Sequence, residues 1–469
     1  MDIQKYRNIY FLGIGGIGMS ALARYFHRYG VNVSGYDKTS TKLTRILIEE
    51  GIPVHFDEDP KFIPGNPDLV IYTPALPKDN KELQFVIANM FPLKKRSEVL
   101  GMITKDAKTI AIAGTHGKTT ITTLVAHLLK SASEDFTAFL GGISKNYSTN
   151  LVTSNSSSHP FKKISSWYVV EADEFDRSFL QLFPDIAVIT SADADHLDIY
   201  GDVDEVRRSF GEFTSHLKKG GTLILKKGVN IHPENINNYT IQTYSSEGIA
   251  DFYPEKIRLK NARFVFDLVT PARIIHDITL GLPGKFNLEN AIAASAVACS
   301  IGMPDEVIAQ SLATFKGVER RFDFQVITDD LIYIDDYAHH PEELKACIRA
   351  VRELYPSKKI TGIFQPHLFT RTRDFADEFA RSLELLDELI LLEIYPAREE
   401  PIPGIDSAML LGKVNLKNKK LCSKAGLLDE LRSVKPEVLL TLGAGDIDQM
   451  VKPIREMFLG IGCWVLDIR

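Results

Sequence analysis

Cysteine is scarce: four in 469 residues (Cys299, Cys347, Cys422, Cys463), far apart and with no C-x-x-C pair. A disulfide framework or a thiolate zinc site is therefore not expected, and free thiols in a reducing cytoplasm fit the pattern. Long apolar runs are missing as well. No stretch approaches the roughly 20 apolar residues of a membrane span, and the opening MDIQKYRN has no apolar core of a secretory signal, so a cytoplasmic location is expected. Positive charge is not in surplus: 55 Lys and Arg against 61 Asp and Glu leave a formal charge of −6. That balance argues against nucleic acid or an anionic membrane as a partner, since both call for clustered positive charge. No short-period repeat is found.

What is present is a globular mixture, 44% hydrophobic and 25% charged. The length exceeds what one hydrophobic core holds, so two to four domains are expected. Short β-rich runs alternate with amphipathic stretches, the pattern of α/β domains on mainly parallel sheets. Three blocks follow one another. The first contains IYFLGIGG, VNVSGYD and PDLVIYTPAL. The second opens at KTIAIAGTHGKTTITTLVAHLL and runs through WYVVEADEFD and DIAVITSADADHLDIYG to the helical NLENAIAASAVACSIG. The third holds DLIYIDDYAHHPEEL, KKITGIFQPH, DELILLEIYPA and PEVLLTLGAGDID. Boundaries near 104 and 318 give domains 1–104, 105–318 and 319–469. The Ser-rich NLVTSNSSSHPFKK, Asn150 to Lys163, reads as a surface loop.

In the first block Gly13, Gly15 and Gly18 spell G-x-G-x-x-G after an apolar run, and Asp37 follows nineteen residues later. Such a turn cradles a diphosphate at a helix N-terminus. On this motif alone an NAD-dependent oxidoreductase and some other diphosphate ligand are both open. The second block supplies AIAGTHGKTT, a strand entering a Gly-rich loop before an apolar helix. Backbone N–H groups of such a loop wrap phosphate oxygens; Lys118 would neutralise the β- and γ-phosphates and the Thr119 hydroxyl would ligate Mg²⁺. The generic pattern has Gly where this chain has Ile112. Farther on, EADEFD places Glu171, Asp173, Glu174 and Asp176 at the end of an apolar strand. That is where α/β proteins bind ligands and where a hard cation finds oxygen donors, although a solvated acidic turn would look the same. His196, amid Asp193, Asp195 and Asp198, is either a surface residue or a ligand of a second cation.

Asn287 and Asn290 stand three apart near a helix start, where amides read an adenine edge or cap the helix. Arg320 and Arg321 sit at the second boundary, where a guanidinium could reach a γ-phosphate. In the third block His339, His340, His367, Arg371 and Arg373 follow strand-like runs and suit a small carboxylate.

These pieces, in this order and over essentially the whole chain, resemble the Mur ligases, the ATP-dependent amide-forming enzymes of peptidoglycan assembly. The strings that carry the resemblance are GIGGIGMS, GTHGKTT, EADEFD, DHLD, RRFDF, DDYAHHP, FQPHLFTRTRD and EEPIPG. The last-block strings, and the absence of Lys from Leu197 to His216, are similar to the branch that adds the first amino acid. The resemblance implies three domains: an N-terminal Rossmann-like UDP-sugar domain, a central P-loop ATPase-type domain, and a C-terminal Rossmann-like amino-acid domain. It implies ATP as cosubstrate, Mg²⁺, UDP-N-acetylmuramate and L-alanine as partners, an acyl-phosphate intermediate, and a monomer or homodimer. By position, Gly13, Gly15, Gly16, Ile17, Gly18, Asp37 and Thr73 fall to the UDP-sugar. Gly114, Thr115, His116, Gly117, Lys118, Thr119, Thr120, Asn287, Asn290, Arg321 and Asp336 fall to ATP. Thr119, Glu171 and His196 fall to the metal, and Tyr337, His339, Arg371 and Arg373 to the amino acid. Lys118, Glu171, His196 and Arg321 form the catalytic set. Two positions depart from the usual pattern: Phe286 replaces a common His and Leu368 a common Arg. The rival readings are a ligase that recycles murein tripeptide, the NAD enzyme, and a non-catalytic nucleotide-binding protein.

Overall fold

The structure is a computed structural model describing residues 5–154, 167–193, 200–260, 263–397 and 399–459. It is a three-domain α/β fold on mainly parallel sheets, divided into two compact units: Met1–Leu282 with Asn287–Lys316, and Pro283–Phe286 with Gly317–Arg469. Among the described residues no helix is long and apolar enough to cross a membrane.

The first unit holds two parallel sheets. One is built from β1 (Asn8–Leu12), β2 (Asn32–Tyr36), β3 (Val54–His55), β4 (Leu69–Tyr72) and β5 (Leu93–Lys95), in the order β3-β2-β1-β4-β5. Ile9, Tyr10, Phe11 and Leu12 are all fully buried, as expected for a strand covered on both faces. β2 pairs on one side of β1 and β4 on the other, so the turn after β1 opens into the crevice where such sheets hold ligands. The helix Ile17–Arg28 starts there.

The other sheet comprises β6 (Lys108–Ala113), β7 (Phe136–Ser144), β8 (Thr149–Thr153), β9 (Trp167–Ala172), β10 (Ile186–Ile189), β11 (Gly221–Lys226) and β12 (Tyr239–Tyr244), in the order β12-β11-β10-β6-β9-β7-β8. All neighbours are parallel except the β7–β8 hairpin. Here the expected loop from Asn150 to Lys163 is corrected at its start. Asn150 and Val152 turn inward in a two-residue alternation and lie in β8, while residues 155–163 fall outside the described ones. Also unforeseen in the sequence is the antiparallel sheet of β13 (Tyr253–Lys260), β14 (Arg263–Val269) and β15 (Ile274–Thr279).

The second unit contains β16 (Asp323–Ile327), β17 (Ile332–Asp336), β18 (Ile360–Phe364), β19 (Glu388–Leu391), β20 (Lys419–Leu421) and β21 (Val438–Leu442), in the order β16-β17-β21-β18-β19-β20. Only β16, at the edge, runs antiparallel to its neighbour. β17, β18 and β21 are buried throughout. Their C-terminal ends therefore bring Asp336, Gln365 and Gly443 to one edge of the sheet.

Candidate active site

β6 delivers the chain into the loop Gly114–Gly117, and the helix Lys118–Ser131 follows. Ile112 stands in β6 with no exposed surface, so the loop starts later than in the generic pattern and is correspondingly short. Gly117 has φ +82°, and a Cβ on it would lie 2.7 Å from Asn290 Oδ1. Only glycine meets both conditions. The loop is braced from the end of β10: Ser191 Oγ accepts from His116 N at 3.0 Å, and Thr190 Oγ1 donates to the His116 carbonyl at 2.5 Å. Thr115 Oγ1 lies 2.7 Å from Ser191 Oγ, and His116 Nε2 lies 3.6 Å from Asp193 Oδ2. Thr120 and Asn287 are buried nearby on their helices.

Lys118 Nζ donates to the Gly114 carbonyl at 2.7 Å and to both Glu174 oxygens at 2.8 and 2.7 Å. Burial alone would pull this ammonium down, but Glu174, Asp173 and Glu171 outweigh it and hold it above its ordinary value. It stays a cation. Beside it Thr119 Oγ1 donates to Glu171 Oε2 at 3.3 Å, and Gly141 N donates to Glu171 Oε1 at 2.7 Å. Thr119 and Glu171 thus offer hard oxygen donors to one point, which fits a cation such as Mg²⁺. His196 lies outside the described residues. Among the described residues no group of three or more His, Cys, Asp and Glu is arranged around a common metal position.

At the front of the same unit, Gly13 N and Ile14 N donate to the Tyr36 carbonyl at 2.8 and 2.9 Å, and Gly16 caps the helix that Ile17 begins. Asp37 Oδ2 accepts from Gly15 N at 2.8 Å, and the Thr73 methyl packs on Gly13. Asp37 thereby braces the turn itself. Two side chains that no local motif pointed to also meet this turn. Arg96 lies against Gly18, and Asn150 donates to the Ile17 carbonyl at 2.6 Å.

In the second unit Asp336 accepts from Phe322 N at 2.6 Å and Ala338 N at 2.7 Å, and burial pushes its carboxyl up to about 6. Arg321 lies over the Tyr337 ring at 4.8 Å. Tyr337, His339 and His367 form a chain of edge-on rings 5.2 and 5.9 Å apart, and Arg371 Nη1 lies 3.4 Å from His367 Nδ1. His339 also lies 3.2 Å from Glu343. The structure gathers Tyr337, His339 and Arg371, whereas the half-exposed Arg373 turns to Asp374 at 2.7 Å. Phe286 packs edge-on against Phe322, and Leu368 takes φ +72° as the cap of the helix Phe369–Asp374.

A diphosphate-type turn, a P-loop faced by carboxylates and a further Rossmann-like sheet define an amide-forming, nucleotide-using ligase of the Mur type. The "Mur ligase family, catalytic domain" model matches residues 8–108, the "Mur ligase middle domain" 112–298 and the "Mur ligase, glutamate ligase domain" 320–445. The chain belongs to the Mur ligase family, and the nicotinamide reading of the opening turn is thereby overturned. It is 51% identical over 462 residues to a UDP-N-acetylmuramate–L-alanine ligase of Parabacteroides distasonis, covering 97% of this chain and 98% of that one. A ligase of the same name from Flavobacterium psychrophilum is 49% identical over 460 residues, with 97% and 99% covered. A crystal structure of the UDP-N-acetylmuramate–alanine ligase of Thermotoga maritima superposes with a TM-score of 0.79 at 28% identity, over 96% of this chain and 99% of that one.

Proposed function

We propose that this chain joins L-alanine to the lactyl carboxylate of UDP-N-acetylmuramate at the expense of ATP, through an acyl phosphate, in peptidoglycan precursor synthesis in the cytoplasm. The reading is carried by the Lys118–Thr119–Glu171 cluster in a chain 51% identical to a ligase of that name. A carboxylate is a poor acyl donor because its leaving group would be oxide. Transfer of the ATP γ-phosphoryl to it makes phosphate the leaving group, and that transfer needs positioning and charge neutralisation more than covalent help.

In this reading the amides of Gly114, Thr115, His116 and Gly117 wrap the phosphates and Lys118 exchanges Glu174 for phosphate oxygens. Thr120, Asn287 and Asn290 flank the nucleotide. Thr119, Glu171 and His196 are the residues that would hold Mg²⁺, which when bound draws charge from the transferring phosphoryl group. Arg321 is assigned to the same charge and Asp336 to the nucleotide. Gly13 to Gly18, Asp37 and Thr73 hold the UDP moiety. Tyr337, His339 and Arg371 receive alanine, whose neutral amine attacks the acyl carbon and expels phosphate. Arg371 is preferred to Arg373 for the alanine carboxylate because it lies against His367 beside His339 and Tyr337, whereas Arg373 turns to Asp374. Domain borders are placed near residues 104 and 318.

The test is phosphate release from ATP with UDP-N-acetylmuramate and, in parallel, L-alanine, glycine, L-serine or murein tripeptide. L-alanine should give the highest kcat/KM. Preference for the tripeptide, or no release with any acceptor, would overturn the proposal.

A further inference from the structure

The third glycine of the front turn is occupied from outside. A Cβ on Gly18 would lie 2.7 Å from Arg96 Nη1, 3.2 Å from its Cδ and 3.3 Å from its Cζ. The Arg96 side chain therefore lies against the first turn of the helix Ile17–Arg28, and a side chain at 18 would displace it. Arg96 is three-quarters buried, and its Nη2 reaches Asp173 Oδ2 at 3.4 Å. Its neighbour Lys95 binds Asp176 Oδ2 at 2.8 Å. Two successive cations at the start of the helix Arg96–Thr104 thus clasp the acidic turn after β9, the turn that carries Glu174.

An ion pair of that length contributes little to stability, and Lys95–Asp176 already makes the closer bridge. A guanidinium has five N–H donors in a fixed fork. Among the described residues one long contact to Asp173 is its hydrogen-bonding commitment. The fork is thereby left beside a helix N-terminus that itself carries partial positive charge. Gly18, Arg96 and the helix end together favour an anion with more than one oxygen.

We propose that Arg96 is a substrate-binding residue: its guanidinium takes diphosphate oxygens of the UDP-sugar seated on the Gly13–Gly18 turn, and its contact with Asp173 registers that diphosphate against the acidic turn beside Lys118. The inference rests on the UDP-sugar reading given above. It commits to the diphosphate because the guanidinium covers the helix turn on which that diphosphate is seated.

The experiment measures calorimetric affinities of the full chain for UDP-N-acetylmuramate and for UDP, with wild type, Arg96→Ala and Arg96→Lys, beside the KM for ATP and thermal melting. Arg96→Ala should weaken both ligands by the same factor, about tenfold or more, with the ATP KM and the melting curve unchanged. Arg96→Lys should restore part of the loss, because it keeps the charge without the fork. Unchanged affinity for both ligands in either variant overturns the inference, and so does a loss confined to UDP-N-acetylmuramate, which would move the contact to the sugar or lactate. If Arg96→Ala fails to fold, the Lys variant decides by the same two affinities. A wild type that binds neither ligand sinks the UDP-sugar reading itself, an outcome distinct from a wild type that binds while the variants match it.

Discussion

Lys118 Nζ touches both carboxylate oxygens of Glu174, at 2.8 and 2.7 Å, and Glu174 is only 1% exposed. The P-loop cation is therefore held by a buried acid, at the residue next to the Thr119–Glu171 pair. Phosphate oxygens would have to replace that acid at Nζ.

Lys118→Ala is expected to lower kcat by about a thousandfold or more, since it removes fixed charge aimed at the transferring phosphoryl group. Affinity for UDP-N-acetylmuramate, proposed to sit on the Gly13–Gly18 turn, should stay within about twofold. The variant also leaves Glu174 buried without its counter-charge, which costs about 3 kcal/mol or more of stability. Phosphate-release kinetics and urea unfolding check the two halves. Normal turnover would mean that the ATP site is misplaced.

A second prediction concerns Gly141, in β7, whose amide holds Glu171. A Cβ there would lie 2.4 Å from both Glu171 carboxylate oxygens, inside any real van der Waals contact. Gly141→Ala should drive Glu171 away from Thr119, raise the Mg²⁺ concentration needed for half-maximal rate and cut kcat at least about tenfold, with the melting curve little changed. An unaltered Mg²⁺ dependence would show that Glu171 does not serve the cation.

The glycine turn, the P-loop and the acidic turn were legible in the sequence because their chemistry is local: consecutive amides and one adjacent Lys-Thr pair suffice to write them. Arg96, Asn150 and Gly141 were not, since each acts on a partner far along the chain, 77 residues away for Arg96 and Asp173 and 133 for Asn150 and Ile17. The parallel sheets could be read from their continuous apolar strands. β13 could not, because its residues from Glu255 to Lys260 are exposed and polar and apolar side chains alternate without a buried face. β8 was hidden by the serine run that follows it.

A third prediction is a pH dependence of stability. Glu82 has no exposed surface, and burial pushes its carboxyl from the ordinary 4.5 up to about 7, against the pull of Tyr10 and of Asp59 N–H. Tyr10 Oη donates to Glu82 Oε2 at 2.5 Å and lies 2.6 Å from His55 Nε2, while His55 Nδ1 lies 2.9 Å from the Asp57 carbonyl. The folded state holds the Glu82 proton more tightly than the unfolded one. The stabilisation is complete below about 4.5 and drains as pH rises through about 7, by at most about 3 kcal/mol. Urea unfolding of wild type and Glu82→Gln from pH 5 to 8 should show the difference between them shrinking as pH rises; parallel curves would exclude a raised Glu82.

The last prediction tests how the front turn is tied to the central sheet. Asn150, fully buried in β8, donates through Nδ2 to the Ile17 carbonyl at 2.6 Å and to Ser20 Oγ at 2.8 Å, and accepts from Arg24 Nη1 through Oδ1. Arg24, 8% exposed, is held in turn by Glu50 at 2.6 Å. Asn150→Ala strips a buried guanidinium of an acceptor and two oxygens on the helix Ile17–Arg28 of a donor, which costs about 3 kcal/mol because the stranded groups remain desolvated. Since Ile17 opens the helix at the turn proposed to hold the UDP-sugar, the KM for UDP-N-acetylmuramate should rise several-fold while the KM for ATP holds, as the P-loop draws its support from Thr190 and Ser191 instead. Equal rises in both KM values would mean that Asn150 supports the unit as a whole and does not specifically position the turn.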